Sequence, residues 1–284
     1  METRRLGRTE HESSVAILGG AAFWDATPEQ AGEGFSAALD AGVNHLDIAP
    51  SYGDAERVVG PLVPPVRDRL FVACKTTRRN PDGVRAQLEE SLERLGCDSF
   101  DLYQLHAVTD MDELETRVEA AEAILRARDE GLCRFVGVTG HDLGAPAAHA
   151  EAVRRWDVDT VMFPVNARMW AEPQYRDDAE ALLALAAERD LGVMAIKAAA
   201  ARPWPDGAER WATTWYEPHR QQADLERGIR FALSTLGVHA FCTPGDRHLL
   251  PRALDVANSY APLDDGERTR ALDTSRHEPV LTRP

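Results

Sequence analysis

Four polar side chains at the ends of short apolar segments are the residues best suited to chemistry in this sequence. The segment VNHLDI (43–48) carries Asp47 near its end, and Tyr52 follows five residues later in an APSYG turn. FVACK ends in Lys75, and DLYQLH ends in His106. If these segments are neighbouring parallel strands, spaced about 4.8 Å apart, the four side chains meet at one rim of the sheet.

This set of groups suits protonation of a carbonyl oxygen. A phenol, with an ordinary pKa of about 10, is a poor acid at neutral pH. We expect the Lys75 ammonium to stabilise the phenolate and lower the pKa of Tyr52, while Asp47 keeps the lysine charged. The imidazole of His106 could then orient the carbonyl by a hydrogen bond. No nucleophile stands beside a base in this set, which argues against covalent catalysis.

The elements that must position these groups alternate regularly along the chain. Short strands that are apolar throughout, typical of parallel βαβ units with both faces covered, alternate with longer helical segments. Counting from VAILGG, there are eight strand–helix units, which predicts an α/β fold, a (β/α)8 TIM barrel with a short N-terminal β-hairpin in residues 3–18. A doubly wound sheet is disfavoured, because no GxGxxG follows the first strand. After 43–48, the predicted strands are 69–74, 100–105, 133–138, 159–164, 192–196 and 238–242, and the main predicted helices are 82–95, 112–130, 145–155, 177–189, 224–236 and 247–257.

No linker or low-complexity tract divides the chain, so we expect a single barrel domain over residues 1–284. Two segments fall outside the repeating pattern. Residues 198–223 form a long insertion rich in tryptophan, and an insertion of this length in a barrel predicts a loop over the site. Residues 258–284 form a polar C-terminal tail, which we expect to lie over one end of the barrel.

The composition restricts the class of partner. The formal net charge of −15 argues against nucleic acid, which would need a basic face. No segment approaches the roughly 20 apolar residues that cross a bilayer, no signal-peptide pattern is present, and the four cysteines lack metal-ligand spacing, so we expect a cytoplasmic protein without a metal. Only Lys75 and Lys197 are lysines. An acidic chain nearly free of lysine suggests a possible halophile, a hypothesis that unchanged stability in dilute buffer would contradict.

The chain resembles the aldo-keto reductase family over nearly its whole length. The matching segments are RRLGRTEHESSVAILGGAAF, AALDAGVNHLDIAPSYG, VACKT, LYQLH, VGVTGH and FPVN. The resemblance implies a barrel that binds a nicotinamide dinucleotide, usually NADPH, without a Rossmann fold. The family's catalytic aspartate, tyrosine, lysine and histidine match Asp47, Tyr52, Lys75 and His106. By this resemblance, Tyr52 donates the proton while hydride passes from the nicotinamide to a carbonyl carbon.

The family's cofactor residues match less closely. The Ser-Asn pair that holds the carboxamide falls on Thr139-Gly140, and since Gly140 has no amide, His141 or Asn166 could replace it. The family's strand-6 glutamine falls on Met162. Lys197, where a stacking ring is common, could reach the pyrophosphate or the substrate.

The phosphate-binding segment of the family falls on residues 243–248. The positions of its Lys-Ser pair are Gly245-Asp246, so Arg247 or Arg252 would have to supply positive charge for a 2′-phosphate. An acid at Asp246 could instead favour a ribose hydroxyl. We expect NADPH, with NADH possible.

Trp24 and Trp170 follow the first and sixth strands and are predicted walls of the substrate pocket. The expected partner is a small-molecule carbonyl compound, and the expected assembly is a monomer or small homo-oligomer. Two alternatives remain open: a metal-dependent hydrolase on the same barrel, using the side chains of His45, Asp47, His106 and His141, and a non-catalytic barrel that binds a nucleotide.

Overall fold

The computed structural model describes residues 1–275 and Leu281, so the end of the predicted tail lies outside the described residues. In chain order the strands are β1 (Thr3–Arg5), β2 (Glu12–Ser14), β3 (Ala16–Gly19), β4 (His45–Asp47), β5 (Phe71–Thr76), β6 (Phe100–Leu105), β7 (Cys133–Thr139), β8 (Thr160–Pro164), β9 (Gly192–Ile196), β10 (Ala200–Arg202), β11 (Glu217–Pro218) and β12 (Ala240–Cys242).

The α-helices follow the strands with local sequence signals at their ends. They are α1 (Pro28–Asp40), α2 (Ala55–Val59), α3 (Pro81–Leu95), α4 (Met111–Glu115), α5 (Val118–Asp129), α6 (Ala145–Arg155), α7 (Ala167–Trp170), α8 (Pro173–Glu188), α9 (Gln222–Leu233), α10 (Leu250–Asn258) and α11 (Asp265–Ser275). Thr27 and Gln30 form a capping box at the start of α1. Gly96, with φ of 61°, ends α3 in the left-handed conformation that glycine adopts without strain.

Eight parallel strands close into a barrel in the order β12-β3-β4-β5-β6-β7-β8-β9. The predicted (β/α)8 barrel is therefore confirmed. The strands are buried along nearly their whole length, because helices cover their outer face and side chains fill the interior. A separate interior cluster includes Leu6, Ile17, Phe71, Leu102 and Met162.

The predicted N-terminal hairpin is also confirmed, with β1 antiparallel to β2. The turn between them sends Leu6, which is fully buried, into the interior cluster of the barrel. Gly7 has φ of 52°, and a β-carbon there would lie 2.3 Å from the backbone of Gly192. Only glycine allows this close approach, so the hairpin closes one end of the barrel.

One predicted helix, 112–130, is two helices in the structure, α4 and α5. The helix is interrupted at Thr116 and Arg117, and Arg117 is 3% exposed. Its guanidinium donates hydrogen bonds to the carbonyl oxygens of Thr77, Arg78 and His106. The interruption therefore lets one buried arginine hold together the loops that follow β5 and β6.

The insertion, defined here as residues 198–221, contains the small antiparallel pair β10 and β11. Helix α9 begins directly after it, two residues earlier than predicted. Within the described part of the chain, no helix is long and apolar enough to cross a membrane.

Candidate active site

The four candidate catalytic residues lie at the carboxyl ends of neighbouring barrel strands. Asp47 is the last residue of β4, Lys75 is the penultimate residue of β5, and His106 directly follows β6. Tyr52 belongs to the loop after β4. The structure brings these four side chains, called the tetrad below, to the end of the barrel where chemistry occurs in this architecture.

Lys75 is the centre of the tetrad. Its Nζ lies 2.5 Å from Asp47 Oδ2 and 3.2 Å from Tyr52 Oη, and it also donates to the carbonyl oxygen of Ile48 at 3.4 Å. Lys75 and Asp47 are each 1% exposed, and Tyr52 is 8% exposed. A charge removed from water in this way persists only with a close partner, so the ion pair fixes the lysine beside the phenol.

The pKa of the Lys75 ammonium is raised although burial alone would lower it, because the charge of Asp47 and its hydrogen bond with Lys75 favour protonation. For Tyr52 the balance is the reverse of the sequence prediction. Burial raises the pKa of Tyr52 to about 12, and the nearby Lys75 charge offsets only part of that rise. The expected net lowering of the Tyr52 pKa is therefore wrong: the phenol holds its proton throughout the neutral range.

The imidazole of His106 packs against the phenol ring of Tyr52 in a T-shaped arrangement. Its ring is perpendicular to that of Tyr52, with centroids 5.8 Å apart, and Ser51 Oγ is 3.5 Å from its Nδ1. Arg117 Nη2 donates to the backbone oxygen of His106 at 3.2 Å. A carbonyl group placed between Tyr52 and His106 could therefore accept hydrogen bonds from both.

Three residues that support the tetrad were missed in the sequence. Gln104 Nε2 donates to Asp47 Oδ1 at 3.2 Å, and Cys242 Sγ lies 3.9 Å from Asp47 Oδ2. Gln104 stands two residues before His106 on β6, so the alternation of a strand could have placed it inside the barrel. Arg117 had no comparable signal, because its role depends on a break in a helix.

Two cavities lie in front of the tetrad. The inner one, of about 60 Å³, is bordered by Tyr52, Lys75 and His106 and by Trp215 and Tyr216 from the insertion. The outer one, of about 460 Å³, continues past Tyr52 and His106 to Trp24.

The insertion covers the phenol with an aromatic side chain. The Trp215 ring centroid is 6.0 Å from that of Tyr52 and 6.3 Å from that of Trp24. Trp24 thus lines the outer cavity, and its role as a wall of the substrate pocket stays a prediction, but Trp170 borders neither cavity. Trp170 is 2% exposed and packs against Tyr175 and Phe231, because the short helix α7 turns it towards the surrounding helices.

The candidate cofactor residues divide into two groups. Thr139, His141, Lys197 and Gly245 border the inner cavity. Gly140 cannot carry a larger side chain in this conformation, because a β-carbon would lie 1.8 Å from the carbonyl oxygen of Val108. An asparagine therefore would not fit where the family resemblance places one.

Asn166 and Arg247, two further candidate cofactor residues, do not border the inner cavity. Asn166 caps α7, its Oδ1 accepting from the Met169 backbone, and borders a separate cavity of about 370 Å³ with Arg227 and Thr274. The structure does not bring Asn166 to the tetrad, because capping turns its side chain towards its own helix. Arg247 belongs to the predicted phosphate segment, 243–248, and forms an ion pair with Asp25 at 3.6 Å.

Asp246 connects the insertion to the segment that precedes α10. Its Oδ1 accepts from the backbone amides of His248 and Leu249, just before α10. Its Oδ2 accepts from the backbone amide and the hydroxyl of Thr213, whose hydroxyl also lies 2.7 Å from the Gly245 oxygen. The Thr213–Asp246 contact, called the clasp below, holds the insertion down.

A nicotinamide dinucleotide fits the donor set of this site. Hydroxyl, imidazole and ammonium groups of Thr139, His141 and Lys197 border the inner cavity beside the tetrad. The cavity, which Trp215 and Tyr216 also border, is smaller than the roughly 300–1,000 Å³ of most ligand pockets. The inner cavity alone therefore has room for only part of a dinucleotide.

The residues of the metal alternative are not arranged around one point. His45 Nδ1 is 3.0 Å from the hydroxyl of Ser13, towards the hairpin end of the barrel, and Asp47 is paired with Lys75. Among residues 1–275 and Leu281, no group of three potential ligand side chains could hold a metal ion.

Comparison with known proteins gives one consistent family. The model of the Aldo/keto reductase family matches residues 16–260. Aldo-keto reductase YhdN of Bacillus subtilis is 32% identical over 162 residues, covering 50% of this chain and 48% of that protein. An aldo-keto reductase of Mycobacterium sp. (strain KMS) is 32% identical over 127 residues, covering 43% and 45%. The chain thus matches over about half the length of these curated relatives.

Among solved structures, aldo-keto reductase AKR11C1 of Bacillus halodurans in its holo form superposes with a TM-score of 0.74 at 21% identity, covering 97% of this chain and 96% of that one. At this identity the likeness supports the fold. Because the family model spans most of the sequence, from the first barrel strand to beyond the last, the chain belongs to the aldo/keto reductase family.

Proposed function

We propose that the protein is an NAD(P)H-dependent oxidoreductase that interconverts a small aldehyde or ketone and the corresponding alcohol. One observation carries the proposal: a phenol and a charged amine lie 3.2 Å apart, buried, at the edge of the inner cavity, and the phenol also borders the outer one. The family model and the donor set around the inner cavity support a nicotinamide cofactor. We expect NADPH, with NADH possible, and Arg247 as a contact for the 2′-phosphate.

The roles follow from the geometry. The bound dinucleotide would supply hydride to the carbonyl carbon. Tyr52 keeps its proton at neutral pH and can give it to the developing alkoxide, which is a much stronger base than phenolate. Lys75 then stabilises the phenolate, while Asp47 and Gln104 hold Lys75 in place. His106 positions the carbonyl oxygen, and the covering insertion excludes water.

The direct test is Tyr52→Phe, assayed with NADPH and 4-nitrobenzaldehyde. We expect turnover to fall by at least about 100-fold, in the range typical of a lost general acid, with NADPH binding close to that of the wild type. Tyr103→Phe is the matched control, since Tyr103 is fully buried on the helix-facing side of β6 and stacks on Phe100.

Three outcomes separate the possible functions. Retained turnover in Tyr52→Phe would refute the proton-donor role. Wild-type protein that binds the dinucleotide but reduces no carbonyl compound would indicate a non-catalytic barrel. Activity that requires an added divalent metal, and no dinucleotide, would favour the hydrolase.

A further inference from the structure

The loop that follows β6 leaves the barrel through a strained residue. Ala107, directly after His106, has φ of 67°. A residue with a β-carbon rarely adopts this left-handed conformation, because it is sterically costly, and such residues persist only where the surrounding structure holds them. They are concentrated at functional sites, and Ala107 borders the outer cavity beside His106.

Two hydrogen bonds fix the backbone of His106. Its amide donates to the carbonyl oxygen of Thr76, on the neighbouring β5, at 2.8 Å. Its own carbonyl oxygen accepts from Arg117 Nη2 at 3.2 Å. This oxygen belongs to the peptide unit that joins His106 to Ala107. Arg117 therefore holds the backbone at the point where the strained conformation begins.

Arg117 reaches this oxygen from outside the site, since it is buried and borders neither cavity. Its Nη1 donates to the carbonyl oxygens of Thr77 and Arg78, at 2.6 Å and 3.2 Å. Its Nη2 lies 2.5 Å from a carboxylate oxygen of Glu113. A buried guanidinium is costly without such partners. The carboxylate balances its charge, so the other donors can hold the loop after β5 and the end of β6 at a fixed separation.

The side chain that this backbone carries faces the phenol of the tetrad. The ring centroids of His106 and Tyr52 are 5.8 Å apart, and the two planes are nearly perpendicular. A hydrogen bond to a carbonyl oxygen weakens steeply as its distance and angle change. A displacement of about 1 Å in a group that positions a substrate can lower a rate about 100-fold. The precision of the His106 backbone thus affects how well the imidazole meets a carbonyl group at Tyr52.

We propose that Arg117 is a positioning residue for carbonyl reduction: by holding the His106–Ala107 peptide in its strained conformation, it aims the imidazole of His106 at the substrate oxygen. This inference rests on the proposed carbonyl reductase activity. Because Arg117 borders neither cavity, its substitution should change the reaction only through His106. The hydrogen bond from the imidazole strengthens as negative charge develops on the oxygen, so the loss should appear in kcat as well as in kcat/KM.

The test is a double-mutant cycle of Arg117→Met and His106→Ala, assayed with 4-nitrobenzaldehyde and NADPH. In Arg117→Met we expect kcat/KM to fall by about 10- to 100-fold, with the dissociation constant of NADPH within about twofold of the wild-type value. Once His106 is replaced, no imidazole is left to position. Adding Arg117→Met to His106→Ala should therefore lower kcat/KM by less than about twofold, whereas a general structural role would give the same loss in both backgrounds.

Two further variants separate positioning from support of the fold. Arg79→Met is the matched control, because Arg79 Nη2 pairs with the same Glu113 at 2.8 Å from an exposed position, and its kcat/KM should be unchanged. Arg117→Lys keeps the charge beside Glu113 but loses the planar fork. We expect it to fold and to retain more activity than Arg117→Met, yet to stay several-fold below the wild type. It replaces Arg117→Met in the cycle if that variant does not fold.

Unchanged kcat/KM in Arg117→Met, or an equal loss with and without the imidazole, would overturn the positioning inference while leaving the reductase intact. Absence of turnover in the wild type would count against the reductase itself. In that case a crystal structure of the Arg117 variant decides the inference separately. A displaced imidazole, with Ala107 relaxed from its left-handed conformation, would support it. Rings of His106 and Tyr52 that keep their 5.8 Å separation would refute it.

Discussion

At the scale of single residues, the ion pair with Asp47 keeps the buried Lys75 charged and next to Tyr52. Both side chains are nearly inaccessible to water, and Tyr52 contacts the pair through the lysine. Removing both charges from water is costly, and their close contact repays that cost only while both are present. The pair is therefore expected to stabilise the fold little, yet to be very sensitive to loss of one member.

This sensitivity can be measured with Asp47→Asn. The variant leaves the buried Lys75 without a counter-charge, so we expect the free energy of unfolding to fall by about 3–5 kcal/mol. The double variant Asp47→Asn/Lys75→Met removes the stranded charge and should recover part of that loss, although it stays inactive. Urea denaturation of the three proteins is the measurement, and a double variant no more stable than the single one would show that the charge is not the cause.

The location of these residues could be predicted because a polar group at the end of an apolar strand is unusual. Asp47, Lys75 and His106 could be placed at one rim because each stands at the end of an apolar strand. The direction of the Tyr52 pKa shift could not, because it depends on how completely the insertion and the loops bury the phenol. Trp170 was misplaced for a similar reason: its position after a strand is readable, but the turn into α7 that buries it among helices is not.

At the scale of elements, the insertion is tied to the segment before α10, and its residues Thr214, Trp215 and Tyr216 border the inner cavity. Asp246 joins them, since one carboxylate oxygen accepts the amides before α10 and the other accepts from Thr213. Trp215 and Tyr216 follow Thr213 directly and cover the tetrad. Opening of the clasp is thus expected to precede entry of a dinucleotide.

Thr213→Val tests this coupling. Valine keeps the shape of threonine but loses the hydroxyl contacts to Gly245 and Asp246, a loss of about 0.5–1.5 kcal/mol for a typical hydrogen bond. We expect NADPH to associate about 2- to 10-fold faster in stopped-flow fluorescence. Thr269→Val is the control, because that hydroxyl bonds only to Asp265 within α11. An unchanged association rate in Thr213→Val would show that the clasp does not limit entry.

The order of strands and helices could be predicted from the sequence because short, continuously apolar segments indicate strands covered on both faces, and longer helical segments alternate with them. The break between α4 and α5 could not, since the helical pattern continues across it and only the hydrogen bonds of Arg117 explain the turn. The insertion could be recognised as a departure from the repeating pattern. Its clasp could not, because Thr213 and Asp246 are brought together only by the closed barrel.

At the scale of the whole molecule, buried histidines couple the fold to pH. His149 is fully buried, its Nε2 lies 3.2 Å from the carbonyl oxygen of Val108, and burial lowers its pKa to about 4. Burial likewise lowers the pKa of His45 and of His219, the latter to about 4. In the unfolded chain, where the histidine pKa is near 6.5, these side chains bind protons between about pH 6.5 and pH 4, whereas in the folded protein they stay neutral. Stability is therefore complete above about pH 6.5 and falls as the pH drops towards 4.

We expect His149 alone to account for about 2 kcal/mol of the loss in unfolding free energy between pH 7 and pH 5. His149→Gln should reduce the pH dependence by about that amount, as measured by urea denaturation at the two pH values. His248→Gln, at an exposed position, serves as the control for the substitution itself. Equal slopes in wild type and His149→Gln would contradict this assignment.

The salt dependence inferred from the net charge of −15 and the scarcity of lysine remains a prediction at this scale. So do the cytoplasmic location and the monomeric or small homo-oligomeric state.

The transfer of hydride from a nicotinamide to a carbonyl carbon beside Tyr52 is the central claim, and isotopic labelling tests it most directly. The wild-type protein is supplied with 4-nitrobenzaldehyde in two separate reactions, each with NADPH deuterated at a different face of nicotinamide C4. The alcohol from each reaction is analysed by mass spectrometry and NMR. We predict that one of the two labelled forms places a single deuterium on the carbinol carbon and that the other places none. An alcohol without deuterium from either form would contradict the claim.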